Sequence, residues 1–148
     1  MKLRAAHTLD AGRLGAILTE FAEGAAWFPR SHTGAEDIAH AAQMVERGWV
    51  DVAERGGEVV GFVAREGEEI HALYVRGAAR CAGVGTALLD HAKANTARLA
   101  LWAHQRNEAA RAFYAARGFA ETQRTDGAGN DEKLPDVRLV WQRSGGDG

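Results

Sequence analysis

The chain has 148 residues, 46% hydrophobic and 26% charged, as expected for one ordinary globular domain with a core of its own. Its net charge of −2, with fifteen arginines and three lysines that form no basic run, disfavours sequence-independent binding to nucleic acid. One cysteine excludes an internal disulfide, and no secretion signal or membrane-length apolar run is visible, so we expect a soluble, cytoplasmic protein without membrane partners.

The N-terminal third of the chain predicts one strand and two helices. Residues 3–7 form a short strand, and Asp10 is expected to cap a helix whose apolar residues follow helical spacing up to Phe21. Residues 23–34, with two glycines and a proline, predict a loop. A second helix is expected over residues 35–47, ended by Gly48, with an inward face of Ile38, Ala41, Ala42 and Val45.

The rest of the chain predicts a sheet and two further helices. Strands are expected at residues 49–54, 59–65 and 69–75, a helix at 84–95, a strand at 99–104, a helix at 107–117, and strands at 119–124 and 137–142. The strand–helix–strand unit from 69 to 104 requires parallel flanking strands. We therefore expect a single α/β domain over residues 1–143, in the order β-α-α-β-β-β-α-β-α-β-β, with a mixed, mostly antiparallel sheet and a disordered tail at 144–148.

The most informative feature is a turn with Gly83 and Gly85 that joins a strand to a helix. The first turn of a helix has unpaired N–H groups and a partial positive charge, and glycine allows a phosphate to come close. A P-loop would need a lysine directly after Gly85, and a dinucleotide fingerprint would need glycine or alanine in place of Leu88. The turn therefore predicts anion binding of a different kind.

The stretch from Leu73 to Leu89, which contains Arg80-Cys81-Ala82-Gly83-Val84-Gly85, resembles the signature of the GCN5-related N-acetyltransferase (GNAT) family. That signature is an apolar strand, a turn, Arg or Gln, two residues, Gly-x-Gly/Ala and a helix with paired leucines. A second segment of the chain is similar to another characteristic segment of the same family. The matching residues are Leu101-Trp102-Ala103, Asn107, Ala110, Phe113-Tyr114 and Gly118-Phe119. The resemblance is close over residues 49–119, and it implies a GNAT-like fold, acetyl-CoA as cosubstrate, and a monomer or homodimer. No His, Asp or Glu cluster has metal-ligand spacing, so no metal is expected.

The resemblance also implies roles for the residues that match. The acetyl and pantetheine groups would pair with the backbone groups of Leu73, Tyr74 and Val75. Arg80 would lie at the rim of the pyrophosphate site. The pyrophosphate itself would be held by the backbone amides of Cys81, Ala82, Gly83, Val84, Gly85 and Thr86. Asn107 would contact the pantetheine arm, and Tyr114 would lie beside the thioester sulfur.

The implied reaction is direct attack of an amine on the thioester. Tyr114 would be the general acid for the thiolate, and the backbone N–H of Val75 would polarise the carbonyl. For the base, Glu69 stands where histone-type members of the family carry a catalytic glutamate. His71, on the same face of its strand, His104 and a chain of waters are alternatives.

Several of these residues also have purely structural interpretations. Asn107 could cap its helix, and Tyr114 could be a core aromatic. The sequence departs from the family pattern at Gly77, where proline is frequent, at Cys81, where glycine is frequent, and at Ala82, where a basic residue is frequent. Cys81 at a helix start could be a reactive thiol, although a small side chain in a tight turn explains it as well.

The acceptor is expected at the two irregular segments of the chain. Residues 27–32 include Trp27, Phe28 and His32, which we assign to the substrate side, and the acidic residues of segment 126–133 would attract a cationic amine. A hydrophobic contact at a helix end, for Trp27 and Phe28, and a solvated turn, for the acidic segment, are the alternative interpretations. The sequence thus predicts an acetyl-CoA-dependent N-acetyltransferase for a small-molecule or peptide amine. A non-catalytic acyl-CoA sensor and a nucleotide-phosphate binder on the same loop are the alternatives.

Overall fold

The computed structural model describes residues 1–29, 32–80, 82–130 and 132–143. Within these ranges the strands are β1 (Lys2–Ala5), β2 (Val50–Arg55), β3 (Glu58–Glu66), β4 (Glu69–Val75), β5 (Arg98–His104), β6 (Ala120–Thr125) and β7 (Asp136–Gln142). The helices are α1 (Ala11–Gly24), α2 (Gly34–Glu46), α3 (Val84–Ala94) and α4 (Glu108–Ala115), with short 3₁₀ turns at Thr8–Asp10 and Gly77–Ala79. The predicted order of elements is confirmed.

All seven strands form one sheet in the spatial order β1-β2-β3-β4-β5-β7-β6. The pairs β1–β2, β2–β3 and β3–β4 are antiparallel, and β7 pairs antiparallel with both β5 and β6. Strand β4 runs parallel to β5, because α3 carries the chain back between them. The prediction of a mostly antiparallel α/β sheet with one parallel pair is confirmed.

Each face of the sheet buries its own core. Helices α1 and α2 cover one face, where Leu14, Met44 and Phe62 are fully buried. Helix α3, with Tyr114 of α4, covers the other face around Leu88 and Leu99. Strand β3 is apolar on both faces because it lies between these two layers, as the central strands of such sheets do. The two layers hold β4 and β5 in place, and those strands form the site.

Two details of the N-terminal helices differ from the sequence prediction. Asp10 precedes α1 but makes no capping bond to it, because the Arg4 guanidinium donates to both of its carboxylate oxygens at 2.9 and 3.1 Å. This ion pair, together with the His7 N–H, lowers the pKa of Asp10. Ile38 was expected to face inward, yet it is 42% exposed, because α1 approaches α2 so closely at Gly15 that Ile38 lies over the helix pair instead of in the core.

Two kinds of feature are absent from the described residues. No helix there is long and apolar enough to cross a membrane. No group of three or more His, Cys, Asp or Glu side chains in the same part of the chain could hold a metal ion.

Candidate active site

Strands β4 and β5 separate soon after they meet, and a large cleft lies between them. Their one ladder pair joins Glu69 to Ala100, and the Ala100 N–H donates to the Glu68 carbonyl at 2.8 Å. Beyond this point β4 stays with β3 and β5 stays with β7. The cleft has a volume of about 750 Å³, which is in the range of small-molecule and cofactor sites.

The cleft brings together most of the residues predicted to hold the cosubstrate. Its lining includes Leu73, Tyr74, Val75, Arg80, Gly83, Val84, Gly85, Thr86, Asn107 and Tyr114, together with Trp27 from the predicted acceptor side. Ala82 is exposed beside the cleft, and its carbonyl accepts from Arg55 at 3.3 Å. Cys81 lies outside the described residues, as do Arg30, Ser31, Asp131 and the predicted tail 144–148.

One end of the cleft is built to receive an anion. Gly83 is the residue before α3 and has a φ of 82°, a left-handed conformation that favours glycine. The first helical bond of α3 runs from the Ala87 N–H to the Gly83 carbonyl, so the amides of the preceding turn have no partner within the helix. A Cβ on Gly85 would lie 3.4 Å from the Phe113 ring, so glycine keeps this wall of the cleft close to the helix end.

A second cation, Arg117, lies at the same helix end. Its guanidinium donates to the Thr86 hydroxyl at 2.8 and 3.1 Å and to the Phe113 carbonyl at 2.8 Å. It also stacks on the Phe113 ring, 3.9 Å from the ring centroid. Arg117 forms no ion pair with any described carboxylate, so a charged group in the cleft is left for an anionic ligand.

Glycine at position 77 also has a structural explanation. The Gly77 N–H donates to Glu20 of α1 at 2.6 Å, and a proline there would remove this donor. The bond ties the start of the loop after β4 to α1, and both residues line the cleft. The departure from the family pattern therefore coincides with a contact that proline could not make.

Tyr114 presents its phenol to the cleft from within the core. The side chain is 6% exposed and packs edge-on against Phe113 and Phe119, with ring centroids 5.1 Å apart in each case. Its hydroxyl makes no hydrogen bond to any described residue. Burial, with a smaller contribution from Tyr74, raises the pKa of Tyr114 above its ordinary value, so the phenol keeps its proton at neutral pH.

Asn107 both caps α4 and borders the cleft. Its side chain accepts a bond from the Ala110 N–H at 3.1 Å, as an N-cap residue does. The capping interpretation is confirmed, and the predicted contact with a pantetheine arm remains a prediction.

The structure does not bring the predicted bases Glu69 and His71 into the cleft. Glu69 lies at the closed end of the β4–β5 pair, where Arg138 donates to both of its oxygens at 2.7 Å. His71 stacks on Trp49, with centroids 4.6 Å apart, and its Nε2 lies 2.9 Å from Glu66. Both side chains thus have structural partners away from the open end of the strands.

The acceptor-side residues are brought together only in part. Trp27 and Phe28 pack edge-on against His104 at the end of β5, with ring centroids 5.4 and 5.6 Å apart. His104 Nε2 in turn lies 3.3 Å from a carboxylate oxygen of Glu132. His32 is exposed near the start of α2 and does not line the cleft.

Sequence reasoning did not assign a role to Arg117, Phe113 or Glu20. The signal for Arg117 was weak, because it stands next to Gly118 in the second family block without being part of the quoted pattern. Glu20 is 57 residues away from its partner Gly77, and no local pattern marks such a contact.

Comparisons with known proteins agree with this architecture. The model of the acetyltransferase (GNAT) domain family matches residues 46–121. The chain is 33% identical over 109 residues to the peptidyl-lysine N-acetyltransferase YjaB of Escherichia coli K12, covering 74% of each protein. It is 42% identical over 82 residues to a 5-NmdU N-acetyltransferase of Pseudomonas phage PaMx11, covering 49% of this chain and 58% of that one.

Solved structures share the fold. The apo-form solution structure of YjaB superposes with a TM-score of 0.79 at 23% identity, covering 97% of this chain and 98% of that one. A PaiA N-acetyltransferase of Thermoplasma acidophilum in complex with coenzyme A gives a TM-score of 0.76 at 16% identity, covering 95% and 98%. The chain therefore belongs to the GNAT acetyltransferase family.

Proposed function

We propose that this protein transfers an acetyl group from acetyl-CoA to a primary amine. The observation that carries the proposal is a single cleft with an anion-binding helix end, two diverging parallel strands and the Tyr114 phenol along its wall. A long ligand with phosphates at one end and an acyl thioester at the other matches this sequence of features. When bound, acetyl-CoA would supply an acetyl group activated as a thioester.

The residues of the cleft fit such a ligand by charge as well as by shape. The free amides at Val84, Gly85 and Thr86, with Arg80 and Arg117, offer hydrogen bonds and positive charge to phosphates. The backbone from Leu73 to Val75 borders the gap that β5 leaves open, and in this proposal it orients the pantetheine arm as an added strand would be oriented. The Val75 amide polarises the acyl carbonyl.

Tyr114 supplies the proton for the departing thiolate. The ordinary pKa of a phenol already lies above neutral pH and burial raises that of Tyr114 further, so the phenol is protonated at neutral pH. The water-poor surroundings that disfavour a phenolate also disfavour a thiolate beside it, so proton transfer between the two groups stays feasible. Trp27 and Phe113 help to exclude water from this part of the cleft.

The acceptor is a nitrogen nucleophile in this proposal. YjaB and the phage protein are both named as N-acetyltransferases, and the first acts on peptidyl-lysine by name. We therefore propose an alkyl amine such as a lysine side chain as the first acceptor to test.

The test combines thiol release from acetyl-CoA over a panel of amines with calorimetric binding of CoA. Turnover with an amine supports the enzyme and identifies its acceptor class. CoA binding without turnover on any amine would favour the non-catalytic sensor, and no CoA binding at all would overturn the proposal.

A further inference from the structure

A second cavity of about 470 Å³ adjoins the acetyl-CoA cleft at the open end of β5. One wall is formed by the end of β5 and the other by the loop between β6 and β7, and the lining residues include Trp102, His104, Asn130, Glu132 and Asp136. The described lining contains two carboxylates and no lysine or arginine, so it suits a cationic group. Trp27, which lines the acetyl-CoA cleft, packs directly on His104, so this ring contact lies between the two spaces.

His104 is the polar side chain at this junction, and one of its nitrogens has no partner. Nε2 lies 3.3 Å from Glu132 Oε1, whereas Nδ1 is buried and makes no hydrogen bond to any described residue. In the tautomer with its hydrogen on Nε2, beside the carboxylate, the neutral imidazole has its lone pair on Nδ1. A buried acceptor without a donor costs roughly 1–3 kcal/mol, so its presence requires an explanation.

From this geometry we infer that His104, oriented by Glu132, takes the proton from the acceptor ammonium; the inference rests on the proposed acetyl transfer. The arrangement is that of a base held in one tautomer by a carboxylate. The ammonium gives one proton to Nδ1, directly or through one water, and becomes a neutral amine. The new C–N bond forms as the C–S bond breaks, and the sulfur takes a proton from Tyr114. The acylated nitrogen then gives its second proton to the Tyr114 phenolate, which restores the phenol. The net product is the amide, the thiol and one proton, which His104 releases to solvent.

The other groups around His104 are consistent with this assignment. Trp27 and Phe28 from the segment after α1 contribute only rings, and Tyr74 of β4 is a phenol near Glu132. Burial and the Glu132 carboxylate raise the pKa of Tyr74 to about 12, so this neighbour does not titrate near neutral pH. Glu132 and Asp136 are the carboxylates of the cavity, and Asp136 is held by Asn130 and Thr125. Glu132 is thus the carboxylate positioned to orient the imidazole.

The first test is the pH dependence of kcat/KM for His104→Gln, Glu132→Gln and, as a matched control, the exposed His40→Gln. We expect His104→Gln to lower kcat/KM by roughly 10²- to 10⁴-fold above pH 7 and to remove the acid limb of the profile. Glu132→Gln should cause a smaller loss, and His40→Gln none. Calorimetric CoA binding should be unchanged in all three, which separates this inference from failure of the acetyl-CoA site.

The second test varies the acceptor. A lysine peptide is compared with the same peptide carrying an aminooxy group in place of the ε-amine, because an aminooxy nitrogen is already neutral at pH 7. The defect of His104→Gln should shrink at least tenfold with the aminooxy peptide. An equal defect with both peptides, or a wild-type profile for His104→Gln, would overturn the inference while leaving acetyl transfer intact.

A third measurement needs no acceptor. Nitrogen-15 NMR should show that the neutral imidazole of His104 carries its hydrogen on Nε2, and Glu132→Gln should disturb this tautomer. A hydrogen on Nδ1 instead would refute the inference, even if no tested amine were acetylated.

Discussion

Arg117 offers the sharpest test of where the phosphates of acetyl-CoA bind. Its guanidinium lies within hydrogen-bond distance of Thr86, in the first turn of α3, and is stacked on Phe113. No described carboxylate neutralises it, although it is partly buried. We predict that Arg117→Gln weakens CoA binding because it removes a cation from the anion-binding end of the cleft.

The expected magnitude follows from the kind of bond that is lost. A hydrogen bond to a charged group contributes about 1.5–3 kcal/mol, and partial solvent screening at this half-buried position favours the lower part of that range. A loss of about 1.5–2 kcal/mol raises Kd roughly 10- to 30-fold. The Kd of Arg117→Lys for CoA should lie between those of the wild type and Arg117→Gln, because lysine keeps the charge but loses the planar guanidinium and its stacking on Phe113.

The assay is titration calorimetry with CoA and with pantetheine, which has no phosphates. The matched control is Arg111→Gln, because Arg111 also donates to a main-chain carbonyl but forms an ion pair with Glu121. Arg117→Gln should affect only CoA, and its penalty should diminish at high salt. Adding Ala82→Arg should recover part of the affinity, since position 82 is exposed beside the cleft. An unchanged Kd for CoA, or an equal loss with pantetheine, would refute the reasoning.

Three further substitutions test other parts of the structure. Tyr114→Phe should lower kcat by roughly 10²- to 10⁴-fold without changing the Kd for CoA, and unchanged turnover would exclude it as the acid. Gly15→Ala should lower the free energy of unfolding by about 1–3 kcal/mol, and with it Tm, because its Cβ would lie 2.7 Å from the Ile38 Cα. Gly12→Ala on the same helix is the control and should not lower Tm, because the space around Gly12 is open. Gly127→Ala should distort the β6–β7 loop, because φ is +84° and the Cβ would lie 2.2 Å from backbone atoms; acetyl transfer should fall while CoA binding stays, as activity assay and calorimetry would show.

The sheet and the part of the site that is assigned to acetyl-CoA could be predicted because the sequence patterns that indicate them are local. The apolar strand before Gly83, the glycines and the paired leucines after them lie in one continuous stretch, and the backbone at Gly83 adopts the predicted turn into α3. A parallel β4–β5 pair follows from one helix between two strands, whatever the rest of the chain does. The contacts predicted for the anion are backbone amides, so the departures at individual side chains did not mislead the fold prediction.

The part of the site that is assigned to the amine acceptor was predicted less accurately, because its contacts join residues that are far apart in the chain. The position of Glu69 at the start of a strand suggested a base, but its side chain is paired with Arg138, 69 residues later. The pairing of His104 with Glu132 depends on how the β6–β7 loop folds back over the end of β5. Alternation along a strand gives the face on which a side chain lies, but it does not give the partner that side chain meets.

The departures of this chain from the GNAT pattern are best understood together with their long-range partners. At position 77 the loss of proline coincides with an N–H bond to Glu20 that ties the loop to α1. At position 82 the loss of a basic side chain coincides with the Arg117 guanidinium from beyond α4, which pairs with no described carboxylate and is held at the same helix end by Thr86. In both cases a side chain from another part of the chain contacts the segment that departs from the pattern. In the proposed function the main contacts to the phosphates are backbone amides, and such a site can tolerate these exchanges, because the charge beside the phosphates matters more than the strand or helix that provides it.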